Sequence, residues 1–117
     1  DNGSGGAKDQ LYTAAWTTNP AQFAASNVGD LPGGDFVRSA YGEGWFVYFH
    51  DDATLRAIRV SDGKYLDAPA PKDFGWVEPR GVVNGEIFAT IHFRPPGVGT
   101  AYSIARVPIA SLGTPKG

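Results

Sequence analysis

Two stretches of this chain follow the same order of strands and turns. Arg38-Ser-Ala-Tyr-Gly-Glu-Gly-Trp-Phe-Val-Tyr-Phe-His50 runs in step with Arg80-Gly-Val-Val-Asn-Gly-Glu-Ile-Phe-Ala-Thr-Ile-His92, at an offset of 42. The only two histidines fall on matching positions, and so do two arginines. A period of about 40 residues filled with short strands marks stacked or radially arranged β units. Function in such architectures sits on surfaces shared between units. The agreement lies in strand and turn order more than in identity.

The 117 residues allow one hydrophobic core. Gly 16 and Pro 9 make the chain turn-rich, which with short β-branched and aromatic runs predicts an all-β fold. We read residues 1–9 as a flexible tether, 10–113 as a single β-repeat domain with units at about 34–66 and 74–112, and 114–117 as a tail. Strands are expected over Leu11–Trp16, Phe36–Tyr41, Trp45–His50, Leu55–Val60, Trp76–Val83, Ile87–Phe93 and Ala101–Ile109. Gln22–Val28 suits either a strand or a helical turn. Trp45–His50 is apolar without alternation, as expected of a strand buried on both faces. Asn84-Gly85 is a hairpin-turn signal, Asp62-Gly63 another, and Pro79 interrupts its strand.

The formal charge is −2 with no cluster of Lys and Arg, so nucleic acid is not an expected partner. No apolar run reaches the roughly 20 residues of a membrane helix, so no membrane insertion is expected. With Cys 0, disulfides and thiolate chemistry are excluded. The polar, glycine-rich opening Asp1-Asn-Gly-Ser-Gly-Gly6 looks like the spacer behind a cleaved signal in bacterial exported proteins or lipoproteins. The expected location is therefore periplasmic, cell-surface or extracellular.

Leu55-Arg-Ala-Ile-Arg-Val-Ser-Asp-Gly-Lys-Tyr-Leu66 resembles the third-strand, turn and fourth-strand stretch of β-propeller blades, quinoprotein-type blades in particular. The strand order of 34–66 and 74–112 is similar to such blades. The resemblance implies antiparallel, short-stranded repeats making two to three propeller-like blades, with a small β-sandwich as the alternative. A closed ring needs at least four blades. The missing part is then either the remainder of a longer propeller chain or further copies brought in by self-association.

His50 and His92 could converge on one ligand or metal with Asp51 and Asp52, or each could cap a strand end. Arg38 and Arg80 could hold a carboxylate or phosphate, or bridge to Asp35 and Glu78. Trp16 and Trp76, flanked by small or turn residues, are candidate platforms for sugar rings, while Trp45 and Tyr48 read as core. No nucleophile elbow, zincin motif or phosphate loop occurs, Glu43 and Glu86 fall in turns, and no cofactor is expected. The reading is a non-catalytic binding or scaffolding module of an exported β-propeller-like protein, with its ligand surface at strand ends and turns. The alternatives are a self-assembling, lectin-like carbohydrate-binding module and a metal-assisted hydrolase.

Overall fold

The computed structural model describes residues 9–31, 35–51, 54–69, 76–93, 96–97, 99 and 101–117, and at 35–37, 51, 76 and 93 the backbone alone. Residues 1–8 of the tether, residues 70–75, Asp52 and the side chains of Asp35, Asp51 and Trp76 lie outside it, and Asp9, read with the tether, begins the first strand.

The fold is all-β, in three antiparallel sheets. Sheet A pairs β1 (Asp9–Ala14) with β2 (Ala25–Leu31). Sheet B is a four-stranded meander of β3 (Asp35–Gly42), β4 (Trp45–Asp51), β5 (Thr54–Arg59) and β6 (Tyr65–Pro69). Sheet C is a three-stranded meander of β7 (Trp76–Val83), β8 (Glu86–Phe93) and β9 (Ala101–Pro108). The Gln22–Val28 region resolves into both options weighed for it: a 3-10 turn at Pro20–Gln22, capped by the Asn19 side chain, and then β2. Pro79 stays within β7 because the register shifts between Pro79 and Gly81, a bulge that accommodates its missing N–H. The connection after β5 is longer than the Asp-Gly signal implies. Arg59 N donates to Lys64 O, and Asp62 caps the loop by accepting from Lys64 N.

Sheet B is the middle layer. One face packs Val47 and Ala57 against Val82 and Ile87 of sheet C, and Leu55 and Ala68 against Val77, Ala89 and Ile91. The other face presents Tyr48 and Ile58 to Leu31, with Leu11 and Val28 of sheet A alongside. Consecutive residues Val47 and Tyr48 are both 0% exposed, so the unalternating apolar run of β4 is buried on two faces. The 3-10 turn at Ile109–Leu112 closes one end of the B–C interface through Ile109 and Leu112.

Sheets B and C touch closely beside the β3–β4 turn, where β7 lies against β3. A methyl group on Gly42 would run into the backbone of Val82, its carbonyl oxygen first and its nitrogen at 2.8 Å. Only glycine admits that approach.

The hairpin turns set the alignment of the two units. Glu43 and Gly44 have φ of 51° and 85°, and Asn84 and Gly85 have 52° and 75°, the left-handed pair of a type I′ turn. Gly44 O accepts from Val60 N, and Gly85 O accepts from Ile109 N. Glu43 therefore matches Asn84, an offset of 41 rather than 42. The difference decides orientation, because a slip of one residue moves a side chain to the other face of its sheet.

Candidate functional site

The corrected alignment separates the two histidines. His50 matches Ile91, not His92. His50 shares a face of β4 with Tyr48, its ring edge-on to that phenol with centroids 6.0 Å apart, on the side of sheet B turned toward sheet A. Its Nδ1 is buried and takes no hydrogen bond among the described residues. Ile91 packs toward sheet B, so the next residue, His92, points to the far side of sheet C. There its ring meets Tyr102, its partner on β9, at 4.5 Å. The imidazoles thus lie on opposite sides of the B–C pair. Sheets pack about 10 Å apart, whereas ligand nitrogens sit about 2 Å from a shared zinc. The two cannot converge on one ion. Among the described residues, no group of three His, Cys, Asp or Glu is placed to hold a metal.

The arginines have different surroundings. Arg38 is half-buried on β3. Arg80 is exposed in the β7 bulge, where its Nε donates to Thr90 Oγ1 at 2.9 Å and its Nη1 lies 3.5 Å from Glu78. That is the bridge to Glu78 weighed for it. At the loop of sheet A, Trp16 is 93% exposed, with Tyr12 and Phe23 exposed on the same hairpin. Tyr48 belongs to the packed interior, whereas Trp45 is half-buried against the Val47 cluster with Arg59 over its ring at 5.7 Å.

Two polar features stand outside the motif reading. One crosses sheet B, where Tyr48, Arg56 and Asp67 are cross-strand neighbours on β4, β5 and β6. Arg56 donates to both Asp67 oxygens, at 2.8 and 3.0 Å, and its guanidinium lies 3.9 Å above the Tyr65 ring. Its hydrogen bonds hold the Asp67 carboxyl below the usual carboxylate range, while Asp67 raises Arg56. Burial pushes the Tyr48 phenol up. The turn signal in the sequence misses the ion pair: a two-residue Asp62-Gly63 turn would set Arg56 opposite Pro69, whereas the hairpin closes at Arg59 and Lys64 and so sets it opposite Asp67.

The other is Glu43. Its carboxylate accepts from Asn84 N at 2.6 Å and Gly85 N at 2.8 Å, so the turn of one unit holds the turn of the next. As a turn carboxylate it reads as merely solvated. Its role follows only from the two type I′ turns lying side by side, which exposes the second turn's N–H pair to the first.

The chain order sorts these features into two ends. Trp16, the Glu43 and Asn84 turns and Asp62 belong to one end. His50, His92 and the start of β7 belong to the other. Compared with protein-family models, curated proteins and solved structures, the chain finds no match. The functional reading rests on these residues themselves.

Proposed function

We propose that the chain is a non-catalytic binding or scaffolding module of an exported β-propeller-like protein, with its ligand surface on strand ends and turns. One observation carries the reading: sheet B is covered on one face by sheet A and on the other by sheet C, with β3 and β7, the first strands of their sheets, next to each other. Propeller blades stack this way around a channel lined by their first strands. A two-sheet sandwich leaves one face of each sheet to water. Arg38 and Arg80 ride on those adjoining strands and supply cationic groups for a carboxylate or phosphate. The test is chemical-shift mapping of isotope-labelled protein against small dicarboxylates, inorganic phosphate and soluble oligosaccharides. Shifts centred on Arg38 and Arg80 that vanish in Arg38→Ala support the reading. Turnover of any compound in the panel counts against it.

A second reading, a self-assembling carbohydrate-binding module, is favoured by the open Trp16 indole, with Tyr12 and Phe23 also exposed on sheet A and its connecting loop. Indoles of this kind present a flat apolar face with a polar edge. Saturable quenching of tryptophan fluorescence by oligosaccharides, lost in Trp16→Ala, is the expected result. A flat titration removes this reading.

A further inference from the structure

We infer that β9 is a docking edge for a second copy of this chain, two β9 strands pairing antiparallel about a two-fold axis at Ile104. The inference rests on the open edge of sheet C and not on the propeller-like reading. In sheet B the chain turns back after β5 and covers that strand with β6. In sheet C it leaves β9 through Ile109–Leu112 instead and pairs Lys116 with Tyr65 on β6. No described strand lies along the other side of β9. That edge is eight residues long, against six for the bulged edge strand β1.

The orientation of the free backbone groups follows from the ladder. Gly85 O accepts from Ile109 N, and hydrogen-bonded pairs alternate along antiparallel strands. Residues 103, 105 and 107 therefore bond to β8, and Tyr102, Ile104 and Arg106 turn their N–H and C=O groups outward. Their side chains share the outer face of sheet C, and all are exposed, Ile104 by 76% and Tyr102 by 65%.

The sequence of this edge is self-complementary. A two-fold at Ile104 sets Ile104 against Ile104 of the second copy and Arg106 beside Tyr102 of the second copy. The first is an apolar pair and the second places a guanidinium against a phenol ring. Six backbone hydrogen bonds, two per pair, is roughly the yield of that register. Another stacked sheet is the poorer occupant, because the outer face of sheet C differs from the sheet B face that receives a neighbour. Val83 stands where sheet B has Gly42, and Arg106 stands where it has Ala57.

Analytical ultracentrifugation over a dilution series tests this, with single cysteines introduced into a chain that has Cys 0. The wild type is expected to approach twice 12.4 kDa. Ile104→Lys, on an exposed site that leaves the circular dichroism spectrum unchanged, places like charges across the axis and raises the dimer dissociation constant at least about tenfold. Ile104→Cys oxidises to a linked dimer, since facing Cα atoms about 5.5 Å apart fit a disulfide. Tyr12→Cys on sheet A is the control and links far more slowly. The inference is overturned by a wild type that stays monomeric throughout, or by one that grows beyond a dimer, since a two-fold contact closes on itself. Undiminished association of Ile104→Lys, or linkage of Ile104→Cys no faster than that of Tyr12→Cys, also overturns it.

Discussion

A single carboxylate joins the two hairpin turns, because Glu43 accepts the backbone N–H groups of both Asn84 and Gly85. Charge-assisted bonds are about twice as strong as neutral ones, and solvent at this exposed turn reduces their value. Glu43→Ala is expected to lower the unfolding free energy by about 1 kcal/mol, with Glu43→Gln retaining part of it; urea titration measures both. Asp67 gives a pH dependence of definite sign. Its folded pKa lies below the unfolded value because Arg56 bonds the carboxylate. Its contribution is therefore present above about pH 4, the unfolded range, and is lost as pH falls through the folded value. Melting temperature should drop on acidification in the wild type, and drop less in Asp67→Asn, which starts lower at neutral pH. Equal acid sensitivity in both would refute the assignment. Asp62, held at about 2 by Arg59 and Lys64 N, sits on an exposed loop where solvent screening leaves it little to add to this window. The residue scale is also where the sequence was least legible. Arg38/Arg80 and His50/His92 align by letter at an offset of 42, but the turns align at 41, and nothing in letter matching reveals which way a side chain faces.

Strands were far easier to read than their attachments. The apolar run Trp45–His50 and the turn signals at Asn84-Gly85 and Pro79 mark β4, the β7–β8 hairpin and the β7 bulge, because each has a local physical cause. The pairing of Lys116 with Tyr65 has none. It consists of backbone bonds, Tyr65 N to Lys116 O at 2.8 Å and Lys116 N to Tyr65 O at 2.9 Å, with the Lys116 amine 5.8 Å from the Tyr65 ring. Lys116→Pro removes one donor and is expected to cost about 1 kcal/mol. Amide exchange at Tyr65 should then speed up while exchange at Tyr48 is unchanged. The contact of β3 with β7 is equally silent in sequence, since a glycine at a strand end reads as turn chemistry. Gly42→Ala forces the Val82 backbone away and is expected to cost about 1–3 kcal/mol by denaturant unfolding. The same change at Gly44, where a Cβ meets nothing within 4 Å, carries only the strain of its turn conformation.

At the scale of the molecule, everything depends on sheet B being an inner layer. Its burial on both faces makes the described residues a stack of three sheets, with a longest dimension of 56 Å against 31 Å for the shortest. The outer sheets carry the Trp16 loop, on sheet A, and the Arg80 bulge and β9 edge, on sheet C, while Arg38 lies on β3 of the middle sheet. All-β character and the repeated meander were legible because strand periodicity and turn chemistry are local. The order of the layers was not, since it depends on which face of each strand looks at which neighbour. Equilibrium urea unfolding of Val47→Ala and Tyr48→Ala tests this claim most directly, because these neighbours point into opposite interfaces. The stack predicts that both lower stability, by about 2 kcal/mol for Val47→Ala and about 3–5 kcal/mol for Tyr48→Ala. A two-layer arrangement predicts that only one of them matters, and a near-neutral result for either would contradict the account.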